Sequence, residues 1–504
     1  MRIPTMIRNV TAVVLVVLVA CSSTKSNGGP ASDRVSASAS APSASYSEHP
    51  CDASIPTDPR VVCGTLTVPE DRSRPDAGTV ELAVVTIHPK PPAAATNPDP
   101  VVFLQGGPGL SSTGAIPDLL NRDFGDRDLI LFDQRGSGLS KPGLYCGDWT
   151  KPTWATIATT DAATRLDIGT RMWTECRDRL TSAGVDLAAF NIAADVADLE
   201  DLRVALHIDQ WNVWGMSYGT RVALQAARAH ASSMRSLTLE SVIPPTTGMF
   251  GPDFVTNGFR RLFDACAADA ACASKHPTLA ADLDSVVARL DASPHHGTVT
   301  DAAGVAHPSV MNGDDVLAML WTMLTVPQLD PALVPKTIAD LKDGNEAWLD
   351  TWRGLVSSSS GTDYAHGMDA SFECADDGAP TGNVGALREH PTYSSVLAQD
   401  IRIFCDVWDV PRLPQSYRDS VTFSVPTLVF AGQLDPNTPP QSGKVLAAGL
   451  PHAVYVELPG LTHTPTFAPA GKSDCPRQIM RAFVDAPEAV PSTACVDTMT
   501  IAWQ

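Results

Sequence analysis

Four short, mostly apolar runs, Val101 to Leu104, Leu129 to Phe132, Trp211 to Trp214 with Asn212 inside it, and Thr427 to Phe430, each run into a glycine-rich or aspartate turn. A strand that is apolar at every position has both faces buried, the mark of a parallel sheet covered by helices on both sides. Between these runs, Ala193 to Leu206 carries Val196, Leu199, Leu202 and Leu206 at helical spacing. Strands alternating with helices place the chain in the α/β class, with a mostly parallel central sheet. Cys63 to Val68 and Val80 to Ile87 alternate more strongly and are expected at an antiparallel edge of that sheet. No internal repeat is detectable.

With 504 residues the chain is long for one domain of about 150 residues. The excess has a place to go. Between a strand expected at Ser236 to Leu239 and the one starting at Thr427 lie about 185 residues, too many for a structureless connection. Val316 to Leu324 is apolar, and Val334, Ile338 and Leu341 fall at i, i+4 and i+7 behind Pro335 near a helix start. A mainly helical cap inserted into the sheet domain is expected, with a separate tandem domain as the alternative.

The N-terminus carries Arg2 and Arg8 ahead of the apolar run Thr11 to Ala20, which is too short to span a bilayer and reads as an export signal. Leu18-Val19-Ala20-Cys21 resembles a bacterial lipobox, in which Cys21 receives a diacylglycerol; ordinary secretory cleavage near Ala20 is the alternative. The expectation is an exported protein, lipid-anchored at the outer face of the cell membrane. Ser, Ala, Gly and Pro then dominate to about Pro50, a composition suited to a flexible tether.

Eleven cysteines less Cys21 leave ten, an even number that suits disulfides in an oxidising compartment. Sequence neighbours are the favoured partners, although spacing alone does not fix connectivity. No CxxC or HExxH spacing occurs, so neither a metal site nor any other cofactor is expected. Basic residues number 36 and acidic residues 56, a net charge of −20 that disfavours nucleic acid as a partner.

Gly215-Met216-Ser217-Tyr218-Gly219 follows the apolar run Trp211 to Trp214 and precedes the helical stretch Arg221 to Ala229. Small residues at 215 and 219 permit a strained strand-to-helix turn that lifts Ser217 above the sheet. A serine hydroxyl needs a base, and the base needs an orienting group. Asp435 lies just past the run Thr427 to Phe430, and His463 lies in a loop after the strand-like Val454 to Leu458. The order Ser, Asp, His is that of the α/β-hydrolases. Gln105-Gly106-Gly107-Pro108-Gly109 follows Leu104, and the amides of Gly106, Gly107 and Tyr218 are candidate oxyanion donors. A phosphate loop is excluded because the Lys-Ser/Thr ending is missing.

QGGPG at Gln105, FDQRGSGLS at Phe132 to Ser140 and GMSYG at Gly215 together resemble the proline iminopeptidase and tripeptidyl aminopeptidase family of α/β-hydrolases. The first motif departs from the family in having Gln105 where histidine is usual. The resemblance covers about residues 50–495 and includes Asp435-Pro436-Asn437-Thr438-Pro439 and Leu461-Thr462-His463. It implies that Asp133 and Arg135 brace the active-site loops. It also implies that carboxylates near the site receive the substrate's free α-amine, with Asp376, Glu373 and Glu240 as candidates.

The expected organisation is a lipoprotein signal over 1–20, a tether over 21–50, a first core part over 51–244, a cap over 245–420 and a second core part over 421–504. The last part resembles the C-terminal region of tripeptidyl aminopeptidases. The expected activity is cleavage of residues from peptide N-termini through a Ser-His-Asp acyl-enzyme. A carboxylesterase or lipase acting on a small ester with the same triad is the first alternative, and a non-catalytic surface-binding lipoprotein the second.

Overall fold

In a computed structural model of the chain, the described residues are 44–74, 76–90, 97, 99–247, 253–301, 303–357, 364–376 and 405–504. The strands are β1 (Ser45–His49), β2 (Val61–Pro69), β3 (Thr79–Ile87), β4 (Val101–Leu104), β5 (Leu129–Phe132), β6 (Trp211–Met216), β7 (Met234–Glu240), β8 (His295–Thr300), β9 (Ala306–Met311), β10 (Thr427–Gly432) and β11 (Ala453–Leu458). Nine of them form one sheet in the order β1-β2-β3-β5-β4-β6-β7-β10-β11. The β1, β2, β3 and β5 pairings are antiparallel and all later ones parallel.

The mostly apolar runs, β4, β5, β6 and β10, are buried along their whole length, Asn212 and Thr427 included. The helices that bury them are α1 (Ile116–Leu119), α2 (Thr150–Ile157), α3 (Ala162–Ser182), α4 (Ile192–Ala205) and α5 (Tyr218–His230) before the cap. The cap adds α6 (Asp253–Ala268), α7 (Ala270–Lys275), α8 (Leu279–Ala292), α9 (Gly313–Thr325), α10 (Val334–Lys342), α11 (Ala347–Ser357) and α12 (His366–Asp376). After it come α13 (Pro440–Ala448) and α14 (Asp474–Asp485). Val102, Leu104 and Val213 face Leu199 of α4 and Val222 of α5 in one core. Phe103, Trp214 and Phe430 face Leu119 of α1 and Ile479 of α14 in the other.

The cap has its own apolar cluster, built from Phe259, Leu283, Leu317, Leu320 and Ile338. Leu434, from the core, belongs to that cluster, so the cap is seated against the turn that carries Asp435. The cap is mainly helical but also holds a two-stranded hairpin, β8 with β9. Its strands are short and largely polar, so no apolar run announced them.

The structure corrects the tether at its C-terminal end. Ser45–His49 pairs antiparallel with β2, from Ser45 opposite Thr67 to His49 opposite Cys63. Composition hides this strand because Tyr46 is its one large apolar side chain; the ring lies over Gly64, where an added Cβ would collide with it. The signal, Cys21 and the rest of the tether lie outside the described residues. The ten other cysteines pair as sequence neighbours: Cys51–Cys63, Cys146–Cys176, Cys266–Cys272, Cys374–Cys405 and Cys475–Cys495.

Candidate active site

Ser217 stands between β6 and α5 with φ 52° and ψ −122°, a conformation that costs a non-glycine residue about 1–3 kcal/mol. The surrounding chain enforces it. The Ser217 amide donates to the Glu240 carbonyl at 3.0 Å, and an added Cβ on Gly219 would collide with the Leu104 carbonyl. Only glycine at 219 lets α5 start this close to β4. The sharp turn leaves Ser217 partly accessible amid a buried surround.

Asp435 is fully buried in the turn after β10. Its Oδ1 accepts the amides of Asn437 and Thr438, each at 2.9 Å. Its Oδ2 accepts the Ser241 hydroxyl at 2.9 Å, the Thr438 hydroxyl at 2.5 Å and His463 Nδ1 at 2.9 Å. Burial alone would push this carboxyl up; the charge of His463 and the bonds from His463 and Thr438 outweigh it and hold Asp435 below the ordinary carboxylate range. Bonding of Nδ1 to Asp435 leaves His463 Nε2 to face a reacting group. Among the described residues no hydrogen bond joins Ser217 Oγ to His463. Ser241 links the acid to the histidine loop, since its oxygen also accepts the Thr464 amide at 2.8 Å.

The glycine loop sits directly on the nucleophile. An added Cβ on Gly106 would lie 2.9 Å from Ser217 Cβ and 3.5 Å from Ser217 Oγ. One expected donor is otherwise engaged: the Gly106 amide donates to Gln105 Oε1 at 2.9 Å. Gln105, the departure noted in the sequence, therefore caps Gly106. Tyr218 opens α5, where no helical carbonyl lies behind its amide to accept it. Gly107 and Tyr218 are the donors this geometry leaves for an oxyanion.

Asp133 and Arg135 are both fully buried. Asp133 accepts the Thr113 amide and hydroxyl at 2.9 and 2.7 Å and the Leu139 amide at 2.8 Å, tying together the loops after β4 and β5. Arg135 grips Asp198 of α4 through two nitrogens at 2.7 and 2.8 Å.

The expected amine carboxylates are not equivalent. Glu240 is fully buried and accepts Trp214 Nε1 at 2.9 Å, the Thr466 amide at 3.0 Å and the Thr466 hydroxyl at 2.8 Å. These three donors occupy it, which corrects its assignment to a substrate amine. Asp376 is buried, accepting the Tyr218 hydroxyl at 3.1 Å and the Ile192 amide at 3.3 Å. It braces the foot of α5 against α4, so its assignment is corrected in the same way.

Glu373 is as buried as Asp376, but its partner is another carboxyl group. It hydrogen-bonds Asp369, one helical turn earlier on α12, and Asp369 also receives a bond from the Tyr364 side chain. Burial raises Asp369 to about 7, against those two bonds, which pull it down. The group abuts the glycine loop, for the Ala365 amide donates to the Gly109 carbonyl at 3.1 Å and an added Cβ on Gly109 would lie 3.4 Å from Tyr364 Cζ. Asp369 keeps part of its surface accessible. The sequence reading missed it, although an Asp and a Glu four apart on one helix are the signal that could have found it. Among the described residues no group of three His, Cys, Asp or Glu side chains could hold a metal ion.

Comparison with known proteins agrees with this geometry. The family model of the alpha/beta hydrolase fold matches residues 99–465. The chain belongs to that family. This α/β-hydrolase is 25% identical over 434 residues to serine protease Hip1 of Mycobacterium tuberculosis, covering 81% of this chain and 82% of that one. It is 24% identical over 466 residues to carboxylesterase B of M. tuberculosis, covering 86% of each. A proline iminopeptidase of Xylella fastidiosa is 34% identical over 146 residues, 28% of this chain and 32% of its own length. The α/β-hydrolase is thus similar over most of its length to proteins named for peptide and for ester cleavage.

Proposed function

We propose that this α/β-hydrolase is an exported, lipid-anchored serine hydrolase that releases residues from peptide N-termini. The observation that carries the hydrolase chemistry is the Asp435–His463 bond at 2.9 Å, at the end of the strand two places from the one that presents the strained Ser217. Ser217 Oγ attacks the substrate carbonyl as His463 Nε2 takes its proton. The carbonyl oxygen becomes an oxyanion facing the Gly107 and Tyr218 amides. Collapse of the tetrahedral species breaks the C–N bond, and His463 returns the proton to the leaving amine. Water, deprotonated by the same histidine, then releases the acyl group and restores the serine. Asp435 stabilises the imidazolium that forms.

The peptidase reading draws support from the Asp369–Glu373 pair beside the glycine loop. A substrate ammonium needs a paired charge once it leaves water, and two carboxyl groups sharing a proton supply one. Similarity to a protein named a serine protease adds to it. Similarity to a protein named a carboxylesterase favours the second reading, an esterase with the same triad. Leu18-Val19-Ala20-Cys21 supports the anchor, and the five disulfides suit an oxidising compartment.

The full chain is to be assayed on aminoacyl and tripeptidyl anilides with free and N-acetylated amines, beside short acyl esters, with Ser217→Ala as control. Cleavage confined to free-amine anilides is expected. Ester cleavage indifferent to the amine would replace the peptidase by an esterase. Cys21→Ala is expected to abolish incorporation of labelled palmitate.

A further inference from the structure

The cap helix α6 reaches the candidate acid with a cation. Arg261 Nη2 donates to the backbone carbonyl of Asp435, and Gly258, one turn earlier, lies so close to Pro436 that an added Cβ would stand 2.6 Å from Pro436 Cβ. Leu434, on the other side of the acid, is buried in the cap cluster with Phe259 and Leu262. Residues 435 and 436 are therefore held by α6, and residue 434 by the cap cluster to which α6 contributes.

The electrostatics are unusual for a structural arginine. Desolvation lowers the Arg261 pKa, and the attraction of Asp435 and Glu457 only partly opposes this. Its Nε is buried with no hydrogen-bond partner among the described residues. A strained cation at that place calls for a return, and the Asp435 carboxylate offers no vacancy, since both oxygens are saturated by Asn437, Thr438, Ser241 and His463. The guanidinium acts on the pair from the backbone side, through position and charge.

We propose that Arg261 is a positioning residue of the candidate triad, fixing the turn that presents the Asp435 carboxylate to His463. The proposal rests on the Ser217–His463–Asp435 reading and deepens it. Its positive charge also attracts the Asp435 carboxylate, the form that orients the imidazole. The other charged groups around this pair are Glu457 of β11, Arg260 of α6, and Glu240, which bonds the histidine loop at Thr466 and feels Arg122. None of them touches Asp435. Because α6 belongs to the cap, the arrangement makes the competence of the triad depend on how the cap is seated.

The test is the rate of Ser217 labelling by a fluorophosphonate as a function of pH, which needs no knowledge of the substrate. It is run on the full chain with Arg261→Met, Arg261→Gln and Arg261→Lys, each checked for folding by circular dichroism. Arg261→Met, which cannot donate to the Asp435 carbonyl, is expected to lower the plateau rate several-fold. Arg261→Lys keeps a donor and the charge without the planar fork, and is expected to recover most of that rate. Arg261→Gln can still donate to the Asp435 carbonyl but carries no charge; it is expected to fall between the two and stands in should Arg261→Met not fold. A plateau rate unchanged in Arg261→Met and Arg261→Gln, or lowered equally in Arg261→Lys, overturns the proposal and leaves the hydrolase reading intact. Absence of Ser217 labelling in the parent overturns both.

Discussion

Glu240 and Thr466 join the nucleophile to the histidine loop. The Glu240 carboxylate accepts the Thr466 amide and hydroxyl at 3.0 and 2.8 Å, while its carbonyl accepts the Ser217 amide at 3.0 Å. Glu240→Ala leaves three buried donors without an acceptor, among them Trp214 Nε1. Each such orphan costs about 1–3 kcal/mol, so a loss of at least about 2 kcal/mol is expected in urea unfolding. Fluorophosphonate labelling of Ser217 should slow as the His463 loop loosens. The ratio of activity on free-amine to acetylated substrates should stay constant, and a fall in that ratio would return Glu240 to the substrate site.

Asp376 and Tyr218 are tested together. Tyr218→Phe removes the hydroxyl that Asp376 accepts at 3.1 Å but keeps the Tyr218 amide. It should cost about 1 kcal/mol of stability and leave the labelling rate within a few fold. Asp376→Asn should likewise lower the melting temperature without raising KM selectively for free-amine substrates. A selective rise in KM at unchanged stability would show that substrate reaches Asp376.

The sheet was legible because β4, β5, β6 and β10 are buried along their whole length and so are apolar at nearly every position. The turns that carry Ser217, Asp435 and His463 were legible because strand ends and glycines have to stand in fixed places around such a site. Carboxylates were harder to place, for a motif names residue types without saying which donors will reach them. Glu240 and Glu373 look alike in the sequence, yet Trp214 and Thr466 engage Glu240 while Asp369 pairs with Glu373. Asp369 was missed because its partners, Glu373 and Tyr364, act only once α12 is seated against the glycine loop. Arg261 lies in a cap whose packing onto Asp435 has no periodic signature at all.

The Cys146–Cys176 bridge joins the chain after β5 to the buried face of α3, closing a span of 30 residues. Closing a loop of that length restricts the unfolded chain by about 3–4 kcal/mol in the chain-entropy account. Replacing both cysteines by serine should lower the unfolding free energy by roughly that amount, measured against the parent in urea. Replacement of Cys266 and Cys272, only 6 apart, should cost less. Equal losses for the two pairs would show that native packing, not loop length, sets their contribution.

Asp369 gives the chain a pH dependence of definite sign. Its folded-state pKa is raised to about 7 from an ordinary value of 3.8, so the fold prefers the protonated form. That preference contributes fully below about pH 4 and is lost as pH rises through about 7. Glu240 and Asp195, also raised by burial, act in the same direction, and Asp435, held low, acts in the opposite one. The difference between parent and variant isolates Asp369. Relative to Asp369→Asn, the parent's melting temperature should decline as pH goes from about 4 to about 7 and run parallel to it above that range. Over the same rise the Asp369–Glu373 pair gains negative charge, so KM for free-amine peptides should fall in the parent, until the substrate amine itself deprotonates near about pH 8. Asp369→Asn should flatten that fall and leave KM for acetylated substrates unmoved. A parent whose KM for free-amine peptides is indifferent to pH between 5 and 7 would remove the pair from substrate binding and leave it a buried carboxyl pair of α12.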